Sequence, residues 1–171
     1  MTEFKGDKIL FDTYNDYILD LNKSYISGSS FCFCGNHGVG KSMTLANILK
    51  FACLKNYTCL YTTLSDAVSA LTYNNDEKFI IKKELNTVDF LVIDEFDPRF
   101  IGSELAGDLY ARTVENIFRT RSQNKLPTLM ATNSPNILNS FSGQLQKSLE
   151  SLFNGYLKSV AILGKDFRSI K

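Results

Sequence analysis

The sequence predicts an α/β fold, in which helices cover both faces of a five-stranded parallel β-sheet. Three observations predict it. Five short apolar runs alternate with stretches of helical periodicity along the 171 residues. One run, FLVID at 90–94, is apolar up to its last residue, which suits a central strand covered on both faces. A glycine-rich loop at 35–42 joins the first run to the helix that follows it. Strands that alternate with helices indicate parallel pairing through right-handed crossovers.

The predicted elements follow one another in a regular order. Each strand is a short apolar run, and the runs are FCFC at 31–34, CLYTT at 59–63, FLVID at 90–94, TLMAT at 128–132 and SVAIL at 159–163. The helices have apolar residues at intervals of three and four, and they are expected over 14–21, 41–54, 64–86 with a polar break at 74–77, 105–124 and 136–154.

Local signals justify the bounds of these elements. Lys41 follows the last glycine of the loop and begins a helix whose apolar residues are Leu45, Ile48, Leu49 and Ala52. The long helix over 105–124 has an apolar stripe made of Tyr110, Val114, Ile117 and Phe118. Pro127 stands just before the fourth strand, and the segment DPRFIGSE at 97–104 is expected to be a turn.

Composition narrows the class of protein. The length suits one domain with a single core, and 44% of the residues are hydrophobic. The net charge is +1, from 19 basic and 18 acidic residues, so bulk charge gives no argument for nucleic-acid binding. No apolar run reaches the length of a membrane span, and the first twelve residues lack the apolar core of a signal peptide. We therefore expect a cytoplasmic protein without a membrane partner.

The cysteines and the single histidine do not indicate a zinc site. The four cysteines form no CxxC pair, and His37 is the only histidine. Cys32 and Cys34 stand two residues apart in the first strand, so they share one face of the sheet, and we expect buried thiols.

The glycine-rich loop has the pattern that holds a phosphate group. Residues 35–42, GNHGVGKS, match GxxxxGK[ST] between a strand and a helix, whereas an ordinary glycine-rich turn would not need this context. Its backbone N–H groups and the helix N-terminus attract an anion. Lys41 is expected to reach the β- and γ-phosphates, and Ser42 to ligate Mg²⁺. The nucleotide-binding residues predicted on this basis are Gly35, Asn36, His37, Gly38, Val39, Gly40, Lys41, Ser42 and Met43. His37 is expected to face solvent or a neighbour rather than to act as a titrating group.

Two acids end the third strand, as in a Walker B element. Asp94 stands at the carboxyl end of that strand, where it would hold the Mg²⁺ shell. Glu95 follows it and is placed to polarise an attacking water, which is the work of a general base. Asp97, just before Pro98, is expected to be a turn residue. The fourth strand ends in Thr132 and then Asn133, a polar amide that could hold the lytic water or the γ-phosphate.

This order of motifs resembles the AAA+ superfamily of P-loop NTPases, and more narrowly the DnaC/IstB-type helicase-loader ATPases. The stretches that carry the resemblance are YISGSSFCFCGNHGVGKSMTLANIL at 25–49, VDFLVIDEFD at 88–97, RSQNKLPTLMATN at 121–133 and GKDFRSI at 164–170. The resemblance implies a three-layer sandwich with strand order 5-1-4-3-2 and little or no lid domain. It implies an N-terminal segment over 1–29 that packs near the nucleotide and an ATPase core over 30–171.

The resemblance also implies a function, in which Lys41, Glu95 and Asn133 are catalytic residues, and ATP and Mg²⁺ are the ligands. Arg168 is a candidate for a further contact with the nucleotide. The implied partners are a replicative helicase or a transposase-like protein, with single-stranded DNA and further copies of the chain. With a net charge near zero, a monomer is expected to bind DNA weakly, through residues such as Lys55, Lys82 and Lys83.

Two alternatives follow from the arginines. No arginine stands between Ser134 and Gly164, where AAA+ assemblies commonly carry an arginine finger. The chain could therefore be a nucleotide-gated binding module with little hydrolysis of its own. Alternatively, Arg112, Arg119 and Arg121 could clamp phosphates in a small P-loop kinase, although their position on a long helix argues against a mobile lid.

Overall fold

Five parallel strands form one sheet in a computed structural model, which describes residues 7–72, 76–97, 104–134, 143–164 and 166. The strands are β1 (Ser30–Gly35), β2 (Cys59–Thr63), β3 (Phe90–Asp94), β4 (Thr128–Thr132) and β5 (Leu157–Ile162). Their order across the sheet is β2-β3-β4-β1-β5, and every pairing is parallel. The predicted fold class and strand order are therefore confirmed.

Helices lie on both faces of this sheet. They are α1 (Lys8–Leu19), α2 (Leu21–Ile26), α3 (Lys41–Leu54), α4 (Leu64–Thr72), α5 (Asp76–Thr87), α6 (Glu104–Gln123) and α7 (Gly143–Gly155). Residues of α1, α2 and α3 pack on one face, and residues of α4 to α7 pack on the other. The chain thus has three layers, and its two cores are separated by the sheet.

The alternation of FCFC explains how β1 serves both cores. Phe31 and Phe33 point toward α1 and α3, whereas Cys32 and Cys34 point toward the opposite face. Both thiols are buried and free, as predicted. In register, Cys32 lies beside Met130 of β4 and Ser159 of β5, so β1 is covered on both edges as well as on both faces.

Two predictions of element bounds were wrong. A single helix over 14–21 was expected, but α1 and α2 lie there instead. Asp7 accepts the N–H of Ile9 at 2.8 Å and Asp20 accepts that of Lys23 at 3.2 Å, so each acid caps a separate helix. The fifth strand was expected over 159–163 but begins and ends earlier. Its first residue, Leu157, is buried, whereas Leu163, the last residue of the predicted run, is 88% exposed. The apolar run in the sequence therefore does not coincide with the buried part of the strand.

Other predicted elements agree within a few residues, and parts of them lie outside the description. The long helix and the strands β2, β3 and β4 have the predicted bounds to within one residue. The break expected at 74–77 includes two undescribed residues, and α5 begins at Asp76. Of the helix expected over 136–154, the described part is α7, and the turn expected at 97–104 is described only at its two ends.

The N-terminal helices join the core on the face of α3. Leu10 and Tyr17 of α1 and Leu21 of α2 are buried in the same cluster as Val39 and Leu45. The Tyr17 hydroxyl donates to the carbonyl of Ser29 at 2.8 Å, which ties α1 to the start of β1. The division of the chain at residue 30 remains a prediction. In the described part of the chain, none of the helices combines the length and the apolarity that a bilayer crossing requires.

Candidate functional site

A cleft of about 480 Å³ lies at the carboxyl ends of β1, β3 and β4. It is lined by His37, Gly38, Gly40, Lys41, Ser42, Met43, Asp94, Glu95, Ala131 and Asn133. Ligand sites of parallel sheets form at this edge, because the loops that follow the strands converge there. The structure therefore brings the predicted phosphate loop, the two acids and the amide into one cavity.

The phosphate loop owes its shape to two glycines with positive φ. Gly38 has φ 75° and Gly40, the N-cap of α3, has φ 99°. A Cβ on Gly38 would lie 1.8 Å from Oδ1 of Asp166, so the carboxylate of Asp166 lies directly against the loop. The pattern of the loop did not predict this neighbour, because Asp166 comes from the opposite end of the chain.

Lys41 is held in place by three acceptors. Its ammonium donates to the carbonyl of Gly35 at 2.8 Å, to that of Asn36 at 2.6 Å and to Oδ1 of Asn133 at 2.9 Å. The side chain is 6% exposed. The bond to Asn133 joins the loop after β1 to the end of β4, so the cation and the amide form one unit.

The other predicted residues of the loop differ in burial and in whether their side chains line the cleft. The side chain of Val39 is fully buried in the core on the α3 face, so only its backbone belongs to the loop surface. Asn36 and His37 are exposed, and His37 lines the cleft. Met43 is 48% exposed and also lines the cleft. Arg168 lies outside the described residues.

Asp94 is buried and both of its carboxylate oxygens accept a hydrogen bond. Oδ1 accepts from the backbone N–H of Glu95 at 2.8 Å, and Oδ2 accepts from the hydroxyl of Tyr61 at 2.5 Å. Tyr61 belongs to β2 and was not predicted as a site residue, because an aromatic residue within a strand is normally a packing residue.

Glu95 has a backbone conformation that non-glycine residues seldom adopt, with φ 50°. The turn that it makes lets Phe96 donate its N–H to the carbonyl of Ala131 at 2.8 Å, and the Phe96 ring is fully buried. The carboxylate of Glu95 remains exposed and lines the cleft. Asp97 donates its N–H to the carbonyl of Glu95 at 2.7 Å, as expected of a turn residue, but its side chain is buried. Strain of this kind concentrates where geometry matters for function.

The donor set of the cleft fits Mg²⁺. Ser42 and Asp94 offer a hydroxyl and carboxylate oxygens, which are the hard ligands that this ion prefers. Within the described ranges, no cluster of three or more His, Cys, Asp or Glu side chains could enclose a metal ion. Two protein ligands with the remaining positions left to phosphate and water are typical of Mg²⁺ bound together with a nucleotide.

The positive charge of Lys41 acts on the thiol of Cys34, near the carboxyl end of β1. Hydrogen bonding with Cys32 lowers the pKa of the Cys34 thiol to about 7, although burial opposes this. A contact with Ser159 and the positive charge of Lys41 add to the decrease. The same pairing, together with burial, raises the pKa of the Cys32 thiol, so the two thiols give no argument for an anion at the carboxyl end of β1.

The described arginines lie away from the cleft. Arg112 is exposed on α6, and Arg119 pairs with Glu115 at 2.7 Å. Arg121 is fully buried, and it donates to Thr128 Oγ1, to two carbonyls at the amino ends of β3 and β4, and to the carbonyl of Leu85. Burial lowers its pKa to about 10. These positions do not suit the phosphate clamp of a kinase lid.

The basic residues considered for DNA binding are exposed. Lys55 follows the end of α3, and its ammonium lies 5.8 Å from the centre of the Phe51 ring. Lys82 and Lys83 are in the interior of α5 rather than at a helix end or in a loop. No described contact assigns these three residues a role.

Part of this sequence and its fold are similar to those of known proteins. No protein-family model matches the chain. Over 112 residues, or 62% of the chain, the sequence is 34% identical to the replicative helicase loader DnaC of Escherichia coli strain K12. That alignment includes 43% of the DnaC sequence, so the chain spans less than half the length of this relative.

Solved structures with the same fold include a DnaC helicase loader and a replication initiator. The DnaC structure superposes with a TM-score of 0.70 at 19% identity and covers 94% of both chains. The initiator DnaA, bound to AMPPCP and single-stranded DNA, superposes with a TM-score of 0.68 at 19% identity, over 95% of this chain and 48% of DnaA. The fold is that of an AAA+ domain, and the resemblance to DnaC-type helicase loaders is confirmed.

Proposed function

We propose that this AAA+ chain, a relative of the DnaC-type helicase loaders, is a DNA-replication ATPase that uses ATP to control its assembly with a replicative helicase. The observation that carries the proposal is the bond between Lys41 and Asn133 across the cleft that Asp94 and Glu95 also line. A lysine in a phosphate loop, a strand-end acid pair and a strand-end amide together make the chemistry of ATP hydrolysis possible at one place.

Each residue would have a separate task. The N–H groups of the loop and the ammonium of Lys41 would bind the phosphate oxygens. Ser42 and Asp94 would hold Mg²⁺, which neutralises charge on the phosphates when it is bound. Glu95 would take a proton from the attacking water, and the exposed position of its carboxylate leaves it open to that water. Asn133 would orient the water or the γ-phosphate while it positions Lys41.

The partners are proposed from the relatives. DnaC is by its name a loader of the replicative helicase, and the DnaA structure contains single-stranded DNA. We propose the same two partners here, with a transposase-like protein as a further possibility from the sequence. Because the net charge is only +1, we expect a monomer to bind DNA weakly and in a salt-sensitive way, so useful affinity requires several copies or the helicase.

A second candidate function is a nucleotide-gated binding module with slow hydrolysis. Of the described arginines, Arg119 is paired with a glutamate, and Arg121 is buried at the amino ends of the strands, away from the cleft. Among the described residues, the cleft therefore has no arginine to stabilise the transition state, and the usual contribution of such a residue is about 10³–10⁵-fold. A partner would have to supply it.

The test is steady-state ATP turnover of the wild-type chain and of Glu95→Gln, with and without single-stranded DNA. We expect Glu95→Gln to bind ATP with wild-type affinity but to turn it over about 10²–10⁴-fold more slowly, because only the general base is lost. Glu84→Gln, on α5, removes a carboxylate outside the cleft lining and should change neither value.

The outcomes separate the two functions. Turnover that DNA stimulates and Glu95→Gln abolishes supports the ATPase. ATP binding without turnover supports the binding module, and addition of a purified replicative helicase should then restore hydrolysis. Wild-type turnover by Glu95→Gln, or no ATP binding by the wild-type chain, would contradict the proposed site.

A further inference from the structure

We propose that Tyr61 is a further residue of the Mg²⁺–ATP site, where its hydroxyl holds Asp94 in the orientation that the metal ion requires. The inference rests on the proposed function, since it concerns the same cleft. Tyr61 would be a positioning residue, because it acts on the metal ion through the side chain of Asp94.

The register of the sheet places Tyr61 below Asp94. Thr63 lies beside Asp94 and Tyr61 lies beside Val92, so Tyr61 is two residues before the end of β2. Residues two apart in a strand point to the same face, which is here the face of α3. Two residues of strand span roughly 6.6 Å, a distance that a tyrosine side chain can bridge along the sheet. The hydroxyl of Tyr61 therefore reaches the carboxyl ends of the strands, although its backbone lies two residues before them.

The hydroxyl completes the fixation of the Asp94 carboxylate. The Glu95 N–H binds Oδ1 at 2.8 Å and the Tyr61 hydroxyl binds Oδ2 at 2.5 Å, so both oxygens are restrained. Each oxygen keeps a further lone pair for a metal ion or for a metal-bound water. Groups that hydrogen-bond to metal ligands set the orientation of those ligands and their affinity for the metal.

Packing alone does not explain a tyrosine at this position. Tyr61 is 42% exposed on β2, which is a strand at the edge of the sheet. A phenylalanine would bury the same apolar surface, so the polar contribution of the residue is its hydroxyl. That hydroxyl donates to Oδ2 of Asp94.

The experiment measures nucleotide affinity with and without the metal ion. Tyr61→Phe is compared with Tyr57→Phe, a matched control that removes a hydroxyl bound to Asn22 at 3.2 Å outside the cleft. Binding of a fluorescent, non-hydrolysable ATP analogue is followed in EDTA and during a titration with MgCl₂. We expect the Mg²⁺ midpoint of Tyr61→Phe to rise by about 10–100-fold, with unchanged affinity in EDTA. The control should match the wild-type chain in both conditions.

Other outcomes overturn the inference. An unchanged Mg²⁺ midpoint would show that the hydroxyl is only a satisfied polar group. A lower midpoint would show that it competes with the metal ion. Equal losses in EDTA and in Mg²⁺ would indicate damage to the loop. If the wild-type chain binds no nucleotide in either condition, the proposed function fails, and this result is distinct from a failure that concerns Tyr61 alone.

Discussion

Gly38 combines two constraints at one residue of the phosphate loop. Its φ of 75° disfavours any side chain, and the Asp166 carboxylate occupies the space where a Cβ would lie. A left-handed conformation costs an alanine about 1–2 kcal/mol more than a glycine. The loop can therefore accept a Cβ only if the Asp166 carboxylate moves, and the backbone of the loop would then be strained.

We expect Gly38→Ala to weaken ATP affinity by about 10-fold or more, because the displaced backbone no longer directs its N–H groups at the phosphate. Titration with a fluorescent ATP analogue measures this. Gly155→Ala is the matched control, since a Cβ there meets no atom within 4 Å. Equal affinities of the two variants would contradict the constraint at Gly38.

Individual site residues differed in how well the sequence could place them. Lys41, Asp94, Glu95 and Asn133 follow recognisable strands, and parallel strands bring their carboxyl ends to one edge. Their chemical roles remain predictions. Tyr61 could not be predicted in this way, because it lies within β2 and only its hydroxyl reaches Asp94 at the carboxyl end of β3.

Arg121 joins several elements at the amino ends of the strands, on the opposite side of the sheet from the cleft. Its guanidinium donates to carbonyls of Leu85, Asp89 and Pro127 and to the hydroxyl of Thr128. It thereby joins α6, α5 and the starts of β3 and β4. The sequence placed three arginines on this long helix, but periodicity does not show which of them turns inward.

We expect Arg121→Met to lower the free energy of unfolding by about 2–4 kcal/mol, because it leaves several buried acceptors without a donor. Urea denaturation measures the change. Arg119→Met removes a partly exposed pair with Glu115 and should cost about 0.5 kcal/mol or less. ATP affinity of the folded Arg121→Met chain should be unchanged, and a similar cost for both variants would argue against the inferred role.

At the scale of the elements, the helix-capping aspartates indicate two helices where the apolar periodicity alone indicated one. The apolar pattern over the N-terminal residues is continuous enough to suggest one helix, but Asp20 ends α1 and caps α2. Aspartates that precede helical stretches would have indicated two helices. The strands were easier to predict, since a buried strand is apolar along its whole length.

At the scale of the whole molecule, Asp89 connects distant parts of the chain. Its carboxylate accepts from the Tyr25 hydroxyl at 2.7 Å and from the N–H and hydroxyl of Thr58 at 2.8 and 2.7 Å. These bonds join α2 to the starts of β2 and β3. Burial raises the pKa of Asp89, but the hydrogen bonds outweigh it, so the pKa is lowered from 3.8.

This shift predicts an acid-dependent stability. Because the folded-state pKa is depressed, the stabilisation from Asp89 is complete above its unfolded value and is lost as the pH falls through the folded value. We expect Asp89→Asn to cost about 1 kcal/mol at pH 7, a small value because the carboxylate is partly exposed. The cost should disappear as the pH falls below 3.8.

Urea denaturation of both proteins between neutral pH and acid pH measures this dependence. Asp12→Asn, which changes an exposed carboxylate on α1, is the control. A difference between Asp89→Asn and the wild-type chain that persists unchanged in acid would contradict the assignment.

The three bonds of Lys41 have a consequence for ligand entry. An ammonium group has three N–H bonds, and three acceptors lie within 2.9 Å of its nitrogen. A phosphate oxygen must therefore enter by substitution, taking the place of an existing acceptor. Two of these acceptors are backbone carbonyls of the loop itself, whereas the third is the side chain of Asn133, the residue after β4. If phosphate took the place of Asn133, the loop would lose this hydrogen bond to the end of β4.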